Sequence, residues 1–140
     1  MNKKIGILCC LTLIFLMASI NTYGQSPDCK KFKNGTFICK SEGNTDIIKR
    51  SGALQLEYFN GSKTPSHYTV KWLDDCTYTL TPQADVFAES KDLPRNIVFT
   101  VKIIKTAKDS YTQTTTNNVT NYTFTAEMNR WKFDMELYIK

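Results

Sequence analysis

His67-Tyr68-Thr69-Val70-Lys71-Trp72-Leu73-Asp74-Asp75-Cys76-Thr77-Tyr78-Thr79-Leu80 is the stretch that decides the fold class. Tyr68, Val70 and Trp72 alternate with Thr69 and Lys71, and Cys76, Tyr78 and Leu80 alternate with Thr77 and Thr79. Successive side chains on a strand point to opposite faces, so this period of two marks two half-buried strands rather than an amphipathic helix. Asp74-Asp75 lies between them. Asp tolerates turn conformations and hydrogen-bonds its own backbone, so the two strands are expected to form a hairpin.

Outward from this hairpin the pattern repeats. Residues 131–140 place Trp131, Phe133, Met135, Leu137 and Ile139 on one face, and Lys132, Asp134, Glu136 and Lys140 on the other. Residues 96–105 align Ile97, Phe99, Val101 and Ile103. In residues 53–59, Leu54, Leu56 and Tyr58 share one face while Gln55 and Glu57 share the other. Asn60-Gly61, Asn117-Asn118 and Asn129-Arg130 read as turns, the last leading into the final strand, and threonine fills many outward positions, where its β-branch suits a pleated backbone. The expectation is an all-β domain: an antiparallel up-and-down meander of about eight strands, forming a small barrel or strongly curved sheet of the calycin or lipocalin kind. Its core should include Trp72, Tyr78, Phe99, Val101, Phe133, Met135 and Leu137. The alternative is an open antiparallel sheet with one short helix. Residues 84–89, between Pro82 and Pro94, suit one or two helical turns.

The N-terminus sets the compartment. Lys3 and Lys4 precede an uncharged apolar run from Ile5 to Ile20, then a polar segment ending in the small residue Gly24. This is the pattern of a secretory signal. With 16 residues the run is short for a membrane span, which needs roughly 20. Leu8 ahead of Cys9, so close to Lys4, does not suit a lipidation site. Cleavage after residue 24 of the 140 leaves a single β domain, residues 25–140, secreted or periplasmic, with no stable membrane span. Loss of Lys3 and Lys4 lowers the formal charge from +5 to +3. The remaining bases are scattered except for Lys30, Lys31 and Lys33, and no basic stripe interleaved with aromatics suggests a nucleic-acid partner.

Three cysteines remain after cleavage: Cys29, Cys39 and Cys76. An oxidising compartment favours one disulfide and one leftover thiol, and three pairings are open. The chain has no Cys-x-x-Cys pair, and its single histidine, His67, is remote from the cysteines in sequence, so no metal or other cofactor is expected. No catalytic residue is expected either. Ser66 and His67 are strand neighbours that point apart, and Asp74 and Asp75 read as turn residues rather than carboxylates facing each other across a cleft. The Asn-x-Ser/Thr sequons at Asn34, Asn60, Asn118 and Asn121 read as turn chemistry. Arg50, Gln55 and Glu57 are the candidate ligand-binding residues, with Trp72 and Tyr78 beside them. If the Gln55 and Glu57 face points into a barrel lumen, Glu57 needs a partner such as Arg50, because a buried charge must be paired. A structural ion pair is the competing reading.

Cys29-Lys30-Lys31-Phe32-Lys33-Asn34-Gly35-Thr36-Phe37, Ile48-Lys49-Arg50, Gln55-Leu56-Glu57 and residues 72–80 together resemble a family of small secreted proteins of flavobacteria and related Bacteroidetes. The family's pattern is Cys, Phe-x-x-Gly-x-Phe, Ile-x-Arg, Gln-x-Glu and Trp-x-x-Asp-Cys-x-Tyr-x-Leu. The likeness covers about residues 29–81 and is most specific from Trp72 to Leu80. It implies a Cys29–Cys76 disulfide with Cys39 free and buried, and it implies no activity. The topoisomerase name that some members carry finds no support in a short exported chain without a nucleotide-binding motif. Two functions remain in view: a non-enzymatic binding module for a small apolar or amphipathic ligand, held under residues 82–94, and a structural or interaction protein of the bacterial envelope with a filled interior.

Overall fold

The computed structural model describes residues 26–132 except Glu42. Eight strands follow one another: β1 (Gly35–Ser41), β2 (Asn44–Ser51), β3 (Leu54–Tyr58), β4 (Ser66–Trp72), β5 (Thr77–Pro82), β6 (Phe99–Thr106), β7 (Ser110–Asn117) and β8 (Phe124–Arg130). Each pairs antiparallel with the next, and β1 pairs with β8 through Phe37↔Arg130, Ile38↔Asn129 and Cys39↔Met128, so the meander closes into a barrel. The expected strand from 131 onward lies, from Phe133, outside the described residues. The described strands close the barrel among themselves, through the pairing of β1 with β8. The turn expected at Asn129-Arg130 does not exist. Both residues belong to β8, where they pair with Ile38 and Phe37 of β1, and Asn129 pairs also with Ser110 of β7.

Closure turns apolar alternation into an inside and an outside. Phe37, Ile48, Val70, Tyr78, Leu80, Val101, Ile103, Tyr111, Ala126 and Met128 are buried. Of the expected core, Tyr78 and Val101 are completely buried, while Trp72 and Phe99 are partly so. Phe133, Met135 and Leu137 lie outside the described residues.

The two ends of the barrel differ. One end is plugged. A 3-10 turn, Lys30–Phe32, drives the fully buried Phe32 against Phe37 and Tyr111, with ring centroids 6.2 and 4.9 Å away. The Cys29–Cys76 disulfide ties this plug to the turn between β4 and β5. In that turn Asp74 Oδ1 accepts the backbone N–H groups of Cys76 and Thr77, both at 2.7 Å, and Asp75 pairs with Lys33 and Lys30. Arg130 lies over the rings of Phe32 and Phe37 and donates to the Lys31 carbonyl. Gly35, at φ +139°, is what lets Arg130 in: a Cβ there would stand 2.7 Å from its Nη1.

At the opposite end the short helix α1 (Ala84–Glu89) packs on β4 and β5 and buries Val86. Asp85 anchors it, accepting from the His67 backbone N–H and lying 2.9 Å from the His67 ring Nδ1. This is the one short helix expected between Pro82 and Pro94, laid on a closed barrel rather than an open sheet.

Candidate functional site

Residue order along β2 sends Asp46, Ile48 and Arg50 into the barrel. The register Ile48↔Glu57 and Arg50↔Gln55 then sends Gln55 and Glu57 inward from β3. The cost is that Leu54, Leu56 and Tyr58 face out, Leu54 being 38% exposed. A strand that turns its polar face to the interior needs an interior that satisfies it. Arg50, 2% exposed, does this.

Arg50 is the hub. Its Nε donates to Gln55 Oε1 at 2.7 Å, its Nη1 to the Phe32 carbonyl at 3.1 Å, and its Nη2 to the hydroxyls of Tyr78 at 2.6 Å and Tyr111 at 3.3 Å. The guanidinium also lies 4.3 Å from the Tyr78 ring centroid. Burial alone works against its charge, but Tyr78, Tyr111 and Glu57 more than offset this. Arginine has only donors, so it fixes the sense of every bond around it. Gln55 must offer its oxygen to Arg50, and its Nε2 then donates to Glu57 Oε1 at 2.6 Å. Tyr78 accepts from Arg50, so its own proton goes to Gln113 Oε1 at 3.2 Å. Arg50 therefore reaches Glu57 through Gln55 rather than in a direct ion pair.

Above this network the interior is not filled. A cavity of about 210 Å³ is lined by Arg50, Gln55 and Glu57 together with Asp46, Tyr68 and Gln113, and by apolar groups that include Ile48, Leu80, Phe99 and Met128. Phe59 and Phe124, 47% and 39% exposed, stand at its mouth. Part of Glu57's surface is open, and the space it borders is this cavity. Burial pushes its carboxyl up to about 7; the Gln55 hydrogen bond and Arg50 pull it down, and Asp46 adds to the rise. Cys39, the free thiol among the described residues, also lines the cavity, and its pKa is raised by burial and then by Asp46 and Glu57.

Of the five sequence candidates, the structure gathers Arg50, Gln55 and Glu57 on the cavity wall. Tyr78 and Trp72 lie beneath it: Tyr78 is completely buried under Arg50, and the Trp72 ring packs on it, tilted by 42° with centroids 4.5 Å apart, on the side of the plug. They support the floor and do not line the space. None of residues 83–94 lines the cavity either; α1 caps β4 and β5 to one side. Sequence reasoning missed Asp46, Phe59, Tyr68, Gln113 and Phe124. The signal was present for Asp46, which shares an alternation face with Arg50, and for Gln113, which shares one with Tyr111. No protein-family model, curated protein or solved structure matches the chain.

Among the described residues no group of three or more His, Cys, Asp or Glu is placed to hold a metal ion, and no helix is long and apolar enough to cross a membrane. The disulfide fits an oxidising compartment.

Proposed function

We propose that this is an exported, non-enzymatic binding module that holds a small apolar or amphipathic ligand in the barrel lumen. The observation that carries the reading is the cavity of about 210 Å³, apolar on most sides and furnished with polar groups that the protein leaves incompletely bonded. Sites for small molecules have this composition: mostly hydrophobic walls and a few fixed polar atoms. The volume equals about seven water molecules at roughly 30 Å³ each, and because covalently bonded atoms pack more closely than separate waters, a ligand that fills it has about ten non-hydrogen atoms. The signal-like N-terminus and the disulfide support export.

The test is native mass spectrometry of protein purified from its own host, together with thermal shifts against a panel of amphiphiles of about ten heavy atoms, spanning neutral, cationic and anionic heads. A ligand at about 100 times its Kd stabilises by about 2.7 kcal/mol, which such scans resolve. Retained mass or a saturable shift supports the reading. Neither retained mass nor a shift with any probe leaves a structural or interaction protein of the envelope as the better account.

A further inference from the structure

The charged oxygens left over in the cavity are acceptors, and the amide Nε2 of Gln113, whose Oε1 accepts from Tyr78, is the neutral donor beside them. Glu57 uses Oε1 on Gln55, and its Oε2 has no partner among the described residues. Asp46 uses Oδ1 on the Asn60 backbone N–H at 2.8 Å and keeps Oδ2. Tyr68 is 8% exposed, lines the cavity, and its hydroxyl makes no hydrogen bond among the described residues. A hydroxyl that faces the cavity with no protein partner, beside a carboxylate oxygen in the same condition, is free to bond a ligand there. Arg50, the cationic residue among those lining the cavity, already spends four of its N–H bonds on Gln55, Phe32, Tyr78 and Tyr111. It holds little in reserve for a ligand's negative head.

The walls add a second preference. Phe59, Tyr68, Phe99 and Phe124 bring four aromatic rings to a small space. Ring faces attract an ammonium group, and more strongly where water is excluded. A carboxylate ligand would instead bring a third negative charge beside Asp46 and Glu57, with no free cation to meet it.

We propose that the ligand of this cavity is a small organic cation, an amine of about ten non-hydrogen atoms with an apolar body, whose ammonium group donates to Glu57, Asp46 and the Tyr68 hydroxyl. This rests on the binding reading above and narrows it to one chemical class. The groups facing Glu57 are Asp46 and Arg50 on β2, Cys39 on β1, Tyr68 on β4 and Tyr78 on β5. Of these, Arg50 stays charged, and burial keeps Tyr68, Tyr78 and Cys39 protonated at neutral pH, so Glu57 is the group whose charge changes near neutrality.

Isothermal titration of the mature chain with 2-phenylethylammonium, 2-phenylethanol and phenylacetate separates the outcomes. At about pH 8 the ammonium should bind at least about tenfold tighter than either of the others. Its affinity should fall by up to about thirtyfold by about pH 5.5, as Glu57 takes up its proton with a pKa of about 7. Glu57→Gln should abolish that pH dependence and most of the preference for the ammonium while still binding the alcohol, which shows the variant's cavity intact. If the alcohol or phenylacetate binds wild type as tightly as the ammonium at about pH 8, or Glu57→Gln keeps the full preference, the cation assignment is wrong and the binding reading stands. Binding of none of the three probes also overturns the cation assignment, and the retained-mass and panel measurements above then decide the binding reading.

Discussion

Glu57→Gln should make the protein more stable above neutral pH, against the usual outcome of altering a buried polar network. Folding moves the Glu57 carboxyl from its ordinary 4.5 to about 7, with burial as the main cause. The folded state therefore binds this proton more tightly than the unfolded chain does. Between the two pKa values the folded state carries more protons, so stability falls as pH rises. Glu57's contribution is complete below about 4.5 and is lost by about 7. At about 1.4 kcal/mol per pKa unit the loss is at most about 3.5 kcal/mol. Glutamine keeps the acceptor for Gln55 Nε2 and removes the titration. Urea unfolding from about pH 4 to 8 provides the assay. With m near 1.5 kcal/mol/M, typical of a domain this size, the wild-type midpoint should drop by roughly 2 M relative to the variant across that range. The variant's curve should carry only the pH dependence of the other groups. Parallel curves for the two proteins, or a larger drop in the variant, would refute the assignment of a protonated, cavity-facing Glu57.

Arg50→Met should cost about 3–5 kcal/mol, because Gln55, the Phe32 carbonyl, Tyr78 and Tyr111 lose a common donor; it should also raise the Glu57 pKa further, readable in carboxyl chemical shifts. Replacing Cys29 and Cys76 by serine opens a bridge with a sequence separation of 47, and chain entropy puts the loss near 4 kcal/mol in chemical denaturation. Gly35→Ala should destabilise by about 1–3 kcal/mol, since the added Cβ meets Arg130 in a backbone region that alanine avoids; thermal unfolding checks it. Cys39, with its pKa raised, should react with a maleimide far more slowly near neutral pH than after unfolding.

The fold was legible wherever apolar alternation was clean. The hairpin of β4 and β5, with Asp74 in its turn, and the strand β6 follow from period two alone. The alternation misleads on β3. Leu54, Leu56 and Tyr58 look like the inner face, yet Gln55 and Glu57 point in, because Arg50 on the neighbouring strand repays their burial and no local rule carries that information. Asn129-Arg130 looks like a turn for a related reason: the partner that makes it strand is β1, about ninety residues away in sequence, and propensity does not report pairing at that distance. Of the site, the triad Arg50, Gln55 and Glu57 was visible as polar residues on an otherwise apolar pattern. Asp46 was legible only as a face-mate of Arg50, and Tyr68 and the aromatic mouth were not legible as site residues, since which inward side chains border a void depends on packing summed over eight strands.

The seam between β1 and β8 has the shortest register in the barrel wall. Its register covers three residue pairs, where β1 and β2 share seven, and it stops at Cys39↔Met128. Beyond that point, among the described residues, Lys40 and Ser41 pair only with β2 in the register and Phe124 to Glu127 only with β7, so that stretch of the wall is unpaired down to two residues that border the lumen. Joining the seam requires segments some ninety residues apart to meet, which makes it a late event in folding and an early one in local opening. We expect amide exchange at Ile38, Cys39 and Met128 to be faster than at the β6 and β7 pairs; equal protection would show the seam to be as firm as the rest of the wall. On the binding reading proposed above, such a cleft would serve as a gate in the side of the container. Exchange of its contents would then follow the breathing of two strands rather than the width of the mouth, so residence time and affinity can change independently.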